Sequence, residues 1–210
     1  LMVAGMGWRP VMLWAALLTL FVSVLVRLVV RDDPAARGYR SHVAGSQKET
    51  GRSSIRQELL EVLRYRNTWL LTFSPGGIVG SVLTFSGLWG IPFLTTHYAL
   101  GPTHSAALAS ALMVAWAIGG PLLGALSDRM GRRKLIYAVS NFITVAAWAP
   151  IIFIPGLPIP VLVALLLAAG FASGGMIIGF AFAKESVPAR LSGTVSGMVN
   201  MGVMVGPMIL

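Results

Sequence analysis

The chain has 210 residues, 56% of them hydrophobic and only 11% charged, with a formal net charge of +9 and a mean hydropathy of +0.79. A soluble domain carries about 25% charged residues, so a lipid bilayer is the expected solvent for much of this surface. The basic surplus does not form a nucleic-acid face, because the charges fall between long apolar runs, and the lack of any cysteine excludes disulfides and thiolate metal sites.

Residues 1–7 read as the tail of an apolar helix. The turn "GWRP" (7–10) follows, with Pro10 near the first position of the next helix. No basic n-region precedes this stretch and no cleavage site follows it, so it does not read as a signal peptide. A transmembrane helix needs about 20 apolar residues. Charge-free runs of that length predict six spans, at 10–30, 69–94, 105–127, 135–154, 160–183 and 192–210. The chain starts and stops inside apolar runs, so it is expected to be a piece of a longer protein, truncated within helices at both ends.

The connection 31–66 is basic and polar. Its second half, "SSIRQELLEVLRYRN", offers Ser54 as N-cap with Gln57 three residues on, a capping-box pattern. Ile55, Leu59, Val62 and Leu63 then share one helical face, which predicts a short amphipathic helix on the membrane surface. "SPGG" (74–77) and "GIP" (90–92) are expected to interrupt the second span. Turns fall at 95–104 and 155–160. Glycines four apart, at 76/80, 120/124, 170/174, 193/197 and 202/206, predict close helix crossings.

Fourteen of the sixteen Lys and Arg lie in 31–66, 129–134 and 184–190, and none in the two intervening turns. The positive-inside rule therefore places the loops 31–66, 128–134 and 184–190 in the cytoplasm.

The densest charge cluster is "GALSDRMGRRK" (124–134). It resembles the signature loop of the major facilitator superfamily (MFS) of secondary transporters, with Gly124, Leu126, Asp128, Arg129, Gly131, Arg132 and Arg133 in the expected slots and Lys134 following. "KESVPARLSG" resembles the family's E-x-x-P-x-R-x-x-G loop through Glu185, Pro188, Arg190 and Gly193. "GWRP" resembles the turn before the sixth helix, and 31–66 the linker between the two six-helix halves. The resemblance implies an all-α integral membrane bundle, mostly the C-terminal six-helix half. In that numbering, 1–30 covers the end of helix 5 and helix 6, 31–66 the inter-half linker, and 67–210 helices 7 to 11, with helix 12 missing.

Physically, Asp128 can face the N-terminus of the 192–210 span near Ser192–Thr194, where a helix dipole favours an anion, and Arg190 can pair with it. Gly131 permits a tight turn and Gly124 a close helix approach. The resemblance implies that this latch holds one end of the bundle closed and breaks as the transporter changes state. It also implies a central cavity between the two halves, lined in this half by helices 7, 8, 10 and 11. Its candidate residues are Ser81, Thr84, Trp89, Trp116, Ser173, Phe180, Ser196 and Asn200, with Asn200 foremost because an unpaired amide in a span is costly; Ser74, Ser86 and Phe182 are lesser candidates.

All seven acids fall in the basic connections, and no His–carboxylate or paired-acid constellation lies within a span. An enzyme is therefore not expected, nor any metal or cofactor. The expected activity is alternating-access transport of a small solute, with or without proton coupling, by a protein that is monomeric at full length in a bacterial inner membrane. A non-transporting sensor or scaffold on the same fold is the alternative.

Overall fold

The computed structural model describes residues 7–30 and 54–209. The expectations for 1–6 and for the first part of the basic connection, 31–53, lie outside these residues. The chain divides into two compact units, 1–53 and 54–210.

In the first unit, α1 spans Trp8–Val29. Gly7, at a positive φ of 76°, directly precedes α1, and Trp8–Pro10 of the expected turn are already helical. Thr19 and Ser23 donate back to the carbonyls of Ala15 and Thr19, each at 2.8 Å, so neither hydroxyl is left bare within the apolar helix.

The second unit contains helices and no strand among its described residues. It contains α2 (Ile55–Val62), α3 (Arg66–Thr84), a π-helical turn (Phe85–Trp89), α4 (Gly90–Tyr98), α5 (Pro102–Met130), α6 (Arg133–Phe153), α7 (Ile159–Ser173), α8 (Met176–Glu185), a 3₁₀ turn (Ala189–Leu191) and α9 (Ser192–Ile209). Among the described residues, five helices are long and apolar enough to cross a membrane: Trp8–Val29, Arg66–Tyr98, Pro102–Met130, Arg133–Phe153 and Ile159–Glu185. The sixth expected span, α9, is not among them. Its glycines, its serines and Asn200 dilute the apolar residues over only 18 positions.

The expected interruption of the second span takes another form. Arg66–Tyr98 runs without a break, and Pro75 is absorbed inside α3. Pro92 lacks an N–H and its ring crowds the carbonyl four residues back, at Leu88. The helix widens into the π-turn over that carbonyl instead of stopping. The real break falls at Gly174 and Gly175, between α7 and α8. There the N–H groups of Gly174 and Gly175 reach only the carbonyls of Phe171 and Ala172, at 3.1 and 3.0 Å.

Two glycine crossings hold the bundle. At the first, α3 meets α9: a methyl group on Gly202 would overlap the Thr72 carbonyl, and one on Gly206 would overlap that of Gly76. At the second, α5 meets α7: methyls on Gly119 and Gly170 would overlap the carbonyls of Phe171 and Leu112. In lipid, where no hydrophobic effect drives helices together, such backbone contact supplies the packing energy. Of the expected glycine pairs, Gly124, Gly193 and Gly197 face open space among the described residues, so Gly124 is not a close-approach site. Apolar clusters flank the crossings. One gathers Val62, Leu71, Ile136, Leu191 and Val195 near the charged loops; the other gathers Val82, Phe85, Leu112, Ile151 and Leu166 toward the opposite end.

Candidate functional site: a charged loop network and an apolar cavity

The signature loop joins α5 to α6. Gly131, at φ 60°, turns the chain, and its N–H donates to the Asp128 carbonyl at 3.3 Å. The turn aims Arg133, the first residue of α6, back across the loop. Its Nη1 donates to Asp128 Oδ1 at 2.7 Å and its Nε to Glu185 Oε1 at 2.6 Å. One guanidinium therefore ties the end of α5 to the end of α8, using two edges of a rigid fork that lysine lacks. Its side chain is 25% exposed, against 66% for Asp128 and 53% for Glu185, so the arginine is the shielded centre of the network and the carboxylates are its wet rim.

Asp128 is thus paired with Arg133 and not with the start of α9. The polar groups there go elsewhere: Arg190 Nη2 donates to Glu61 Oε1, and Thr194 Oγ1 donates to Glu58 Oε2 at 2.8 Å. Both acids belong to α2. The capping box expected at its start forms, with Gln57 Oε1 accepting from the Ser54 N–H at 3.3 Å. Of its apolar face, Val62 is fully buried in the protein core while Ile55 and Leu59 stay exposed. Of the remaining loop residues, Leu126, Arg129, Arg132, Lys134, Pro188 and Gly193 are exposed or half-buried.

A cavity of about 740 Å³ opens between α3, the π-turn and α4 on one side and α6 on the other. Ser81, Thr84 and Trp89 line it, as does Ser74. The other five candidates, named for a cavity between the two halves, do not line this one. Trp116 is half-buried on α5. Ser173 is fully buried and donates to the Ala169 carbonyl at 2.7 Å. Phe180 packs against the core cluster nearer the charged loops. Ser196 donates to the Ser192 carbonyl at 2.7 Å, and Asn200 is exposed on α9. Even Ser81 turns back to its own helix, donating to the Ile78 carbonyl at 2.8 Å. The Thr84 hydroxyl is buried with no partner among the described residues.

The best-paired polar group at the cavity is one that sequence reasoning missed. Asn141 Nδ2 and Tyr137 Oη both donate to Ser74 Oγ, at 2.9 and 3.0 Å. The signal was present: Tyr137, Ser140, Asn141 and Thr144 recur at helical spacing, a polar stripe on one face of α6. The rest of the lining is apolar and aromatic. Phe85 stands edge-on to both Phe93 and Trp148, with ring centroids 5.9 and 5.1 Å away. No cluster of metal-ligating side chains occurs among the described residues.

No curated protein matches the chain closely enough to count as a relative. The Major Facilitator Superfamily does match, over residues 1–210. Five membrane-length helices and the all-α bundle agree with that assignment, and members of the family are membrane transporters, not enzymes. This chain belongs to the Major Facilitator Superfamily, as an integral, multi-pass membrane protein.

Proposed function

We propose that the protein carries a small solute across the membrane by alternating access, and that the signature loop is its latch. The observation that carries this reading is the bridge from Arg133 to both Asp128 and Glu185. It joins two helix ends that are distant in sequence through exposed, exchangeable groups. An exposed ion pair contributes about 0–1 kcal/mol, small enough to break and re-form in every cycle yet large enough to bias a two-state equilibrium. The distribution of Lys and Arg supports a cytoplasmic location for 31–66, 128–134 and 184–190. The monomer is the working unit, and the bacterial inner membrane is its home. All of the chain's acids fall in the basic connections, outside the expected spans. Uptake of a panel of radiolabelled sugars, organic anions and cations by full-length protein in proteoliposomes tests the reading. Accumulation of at least one solute supports transport. Binding without flux for every solute bound favours a sensor built on the same fold.

A further inference from the structure

Both acids of the charged network are spent on one base. Asp128 and Glu185 each accept from Arg133. Arg132 and Lys134, on either side of it in the chain, are exposed, and neither makes an ion pair or hydrogen bond among the described residues. Nor do these two bases stabilise the helix they begin. Arg132 is the N-cap of α6 and makes no side-chain capping bond, and the first turn holds no acid. The positive end of a helix dipole disfavours cations, so Arg132 and Lys134 stand where local stability would place Asp or Glu.

Both bases line a groove of about 720 Å³ at the start of the Arg133–Phe153 span. Its walls carry two kinds of chemistry. Three bases, Arg132, Arg133 and Lys134, are joined there by a single acid, Glu185, so the groove is net positive. Leu135, Ala138 and Phe182 form its apolar part. The apolar surface continues along α6 through Val139 and Phe142, which are 45% and 74% exposed. In a spanning helix such residues meet acyl chains and not water. A positive groove that leads into an apolar track matches the polarity of a glycerophospholipid, with its phosphodiester first and its hydrocarbon after. A soluble anion would satisfy the bases and leave the track bare. A neutral lipid would cover the track and leave the bases unpaired.

We propose that this groove binds an anionic phospholipid. The phosphate meets Arg132 and Lys134, the glycerol backbone rests on Leu135, Ala138 and Phe182, and one acyl chain follows Val139 and Phe142. Arg133 stays committed to Asp128 and Glu185, so the ion pairs of the loop are the same with and without lipid. The site requires only that the chain lie in a bilayer, and it stands or falls independently of transport.

The test uses delipidated full-length protein in a neutral detergent. It is titrated with phosphatidylglycerol and, separately, with phosphatidylcholine of the same acyl chains, and bound lipid is counted by native mass spectrometry. Each base near an anionic headgroup contributes about fivefold in affinity. Arg132→Gln with Lys134→Gln should therefore weaken phosphatidylglycerol binding roughly 25-fold. Arg129→Gln with Lys184→Gln removes the same charge from exposed bases outside the groove and should leave the affinity almost unchanged. Equal losses in the two pairs would mean diffuse attraction alone and overturn the site. Arg132→Lys with Lys134→Arg keeps both charges and should keep the lipid. Ala138→Phe fills the groove without altering charge and should weaken binding severalfold; unchanged binding there overturns the proposal. So does phosphatidylcholine binding as tightly as phosphatidylglycerol, or displacement of the lipid by an equal concentration of inorganic phosphate. The substituted side chains are exposed, so every variant should keep the wild-type Tm.

Discussion

Glu185 and Arg190 belong to one short connection yet face different partners. Glu185 accepts from Arg133 at the start of α6, and Arg190 donates to Glu61 of α2. The connection is thus held at one end by the signature loop and at the other by the linker helix. Arg133→Lys keeps the charge but loses the fork that reaches two carboxylates. Because the carboxylates are exposed, that change should cost roughly 0.5 kcal/mol of stability or less. Thermal unfolding in detergent should therefore be nearly unchanged for Arg133→Lys, Glu185→Gln and Asp128→Asn. A large loss would show that the network is a structural strut and not a reversible latch.

The glycine crossings should behave in the opposite way. A methyl group at Gly202 or Gly119 meets a facing backbone carbonyl, which cannot move aside as a side chain can. Gly202→Ala and Gly119→Ala should each cost roughly 1–3 kcal/mol through overpacking. Gly77→Ala and Gly197→Ala, where nothing lies within 4 Å, should be neutral or mildly stabilising. A thermal-stability series over these four variants checks the contrast.

At the cavity, one acceptor serves two donors. Ser74→Ala strands both Tyr137 Oη and Asn141 Nδ2. It should cost about 1–3 kcal/mol, the penalty for unsatisfied buried groups. Tyr137→Phe removes a single hydrogen bond, leaves Asn141 paired, and should cost about 1 kcal/mol or less. Reversal of that order in unfolding midpoints would show that the node is not anchored on Ser74.

Far from any site, Ala99 ends α4 in the left-handed conformation at φ 52°. A side chain costs about 1–2 kcal/mol there relative to the usual right-handed backbone. Ala99→Gly should therefore stabilise the protein by about 1 kcal/mol, read as a rise in Tm with no change in transport.

Much of the fold is legible in the sequence because bilayer thickness sets the length of a charge-free run. The boundaries of α1, α5 and α6 follow the first, third and fourth predicted spans closely, and Gly131 turns as its type and place suggest. The capping box at Ser54 and Gln57 is a local pattern and forms locally. Partners across the chain are less legible. A carboxylate next to four bases does not reveal which of them bends back to it, so sequence alone points Asp128 toward Arg190 although Arg133 lies closer in the turn. Glycine spacing marks which helices can cross closely but not which glycines face a neighbour, hence the open space at Gly124. The cavity lining is obscured for a similar reason. Ser173 and Ser196 spend their hydroxyls on their own helices, whereas Asn141, reached only by reading the polar stripe of α6, meets Ser74 across 67 residues.

The most direct test of the central claim is the initial rate of solute uptake by full-length Asp128→Asn in proteoliposomes, normalised to inserted protein, for any solute that the wild type accumulates. The substitution removes the charge that Arg133 holds at 2.7 Å and leaves the shape of the loop almost unchanged. Insertion and Tm should match the wild type, while the uptake rate should fall about fivefold, the factor that ~1 kcal/mol of lost latch bias represents. Equal uptake rates with equal insertion would contradict the latch.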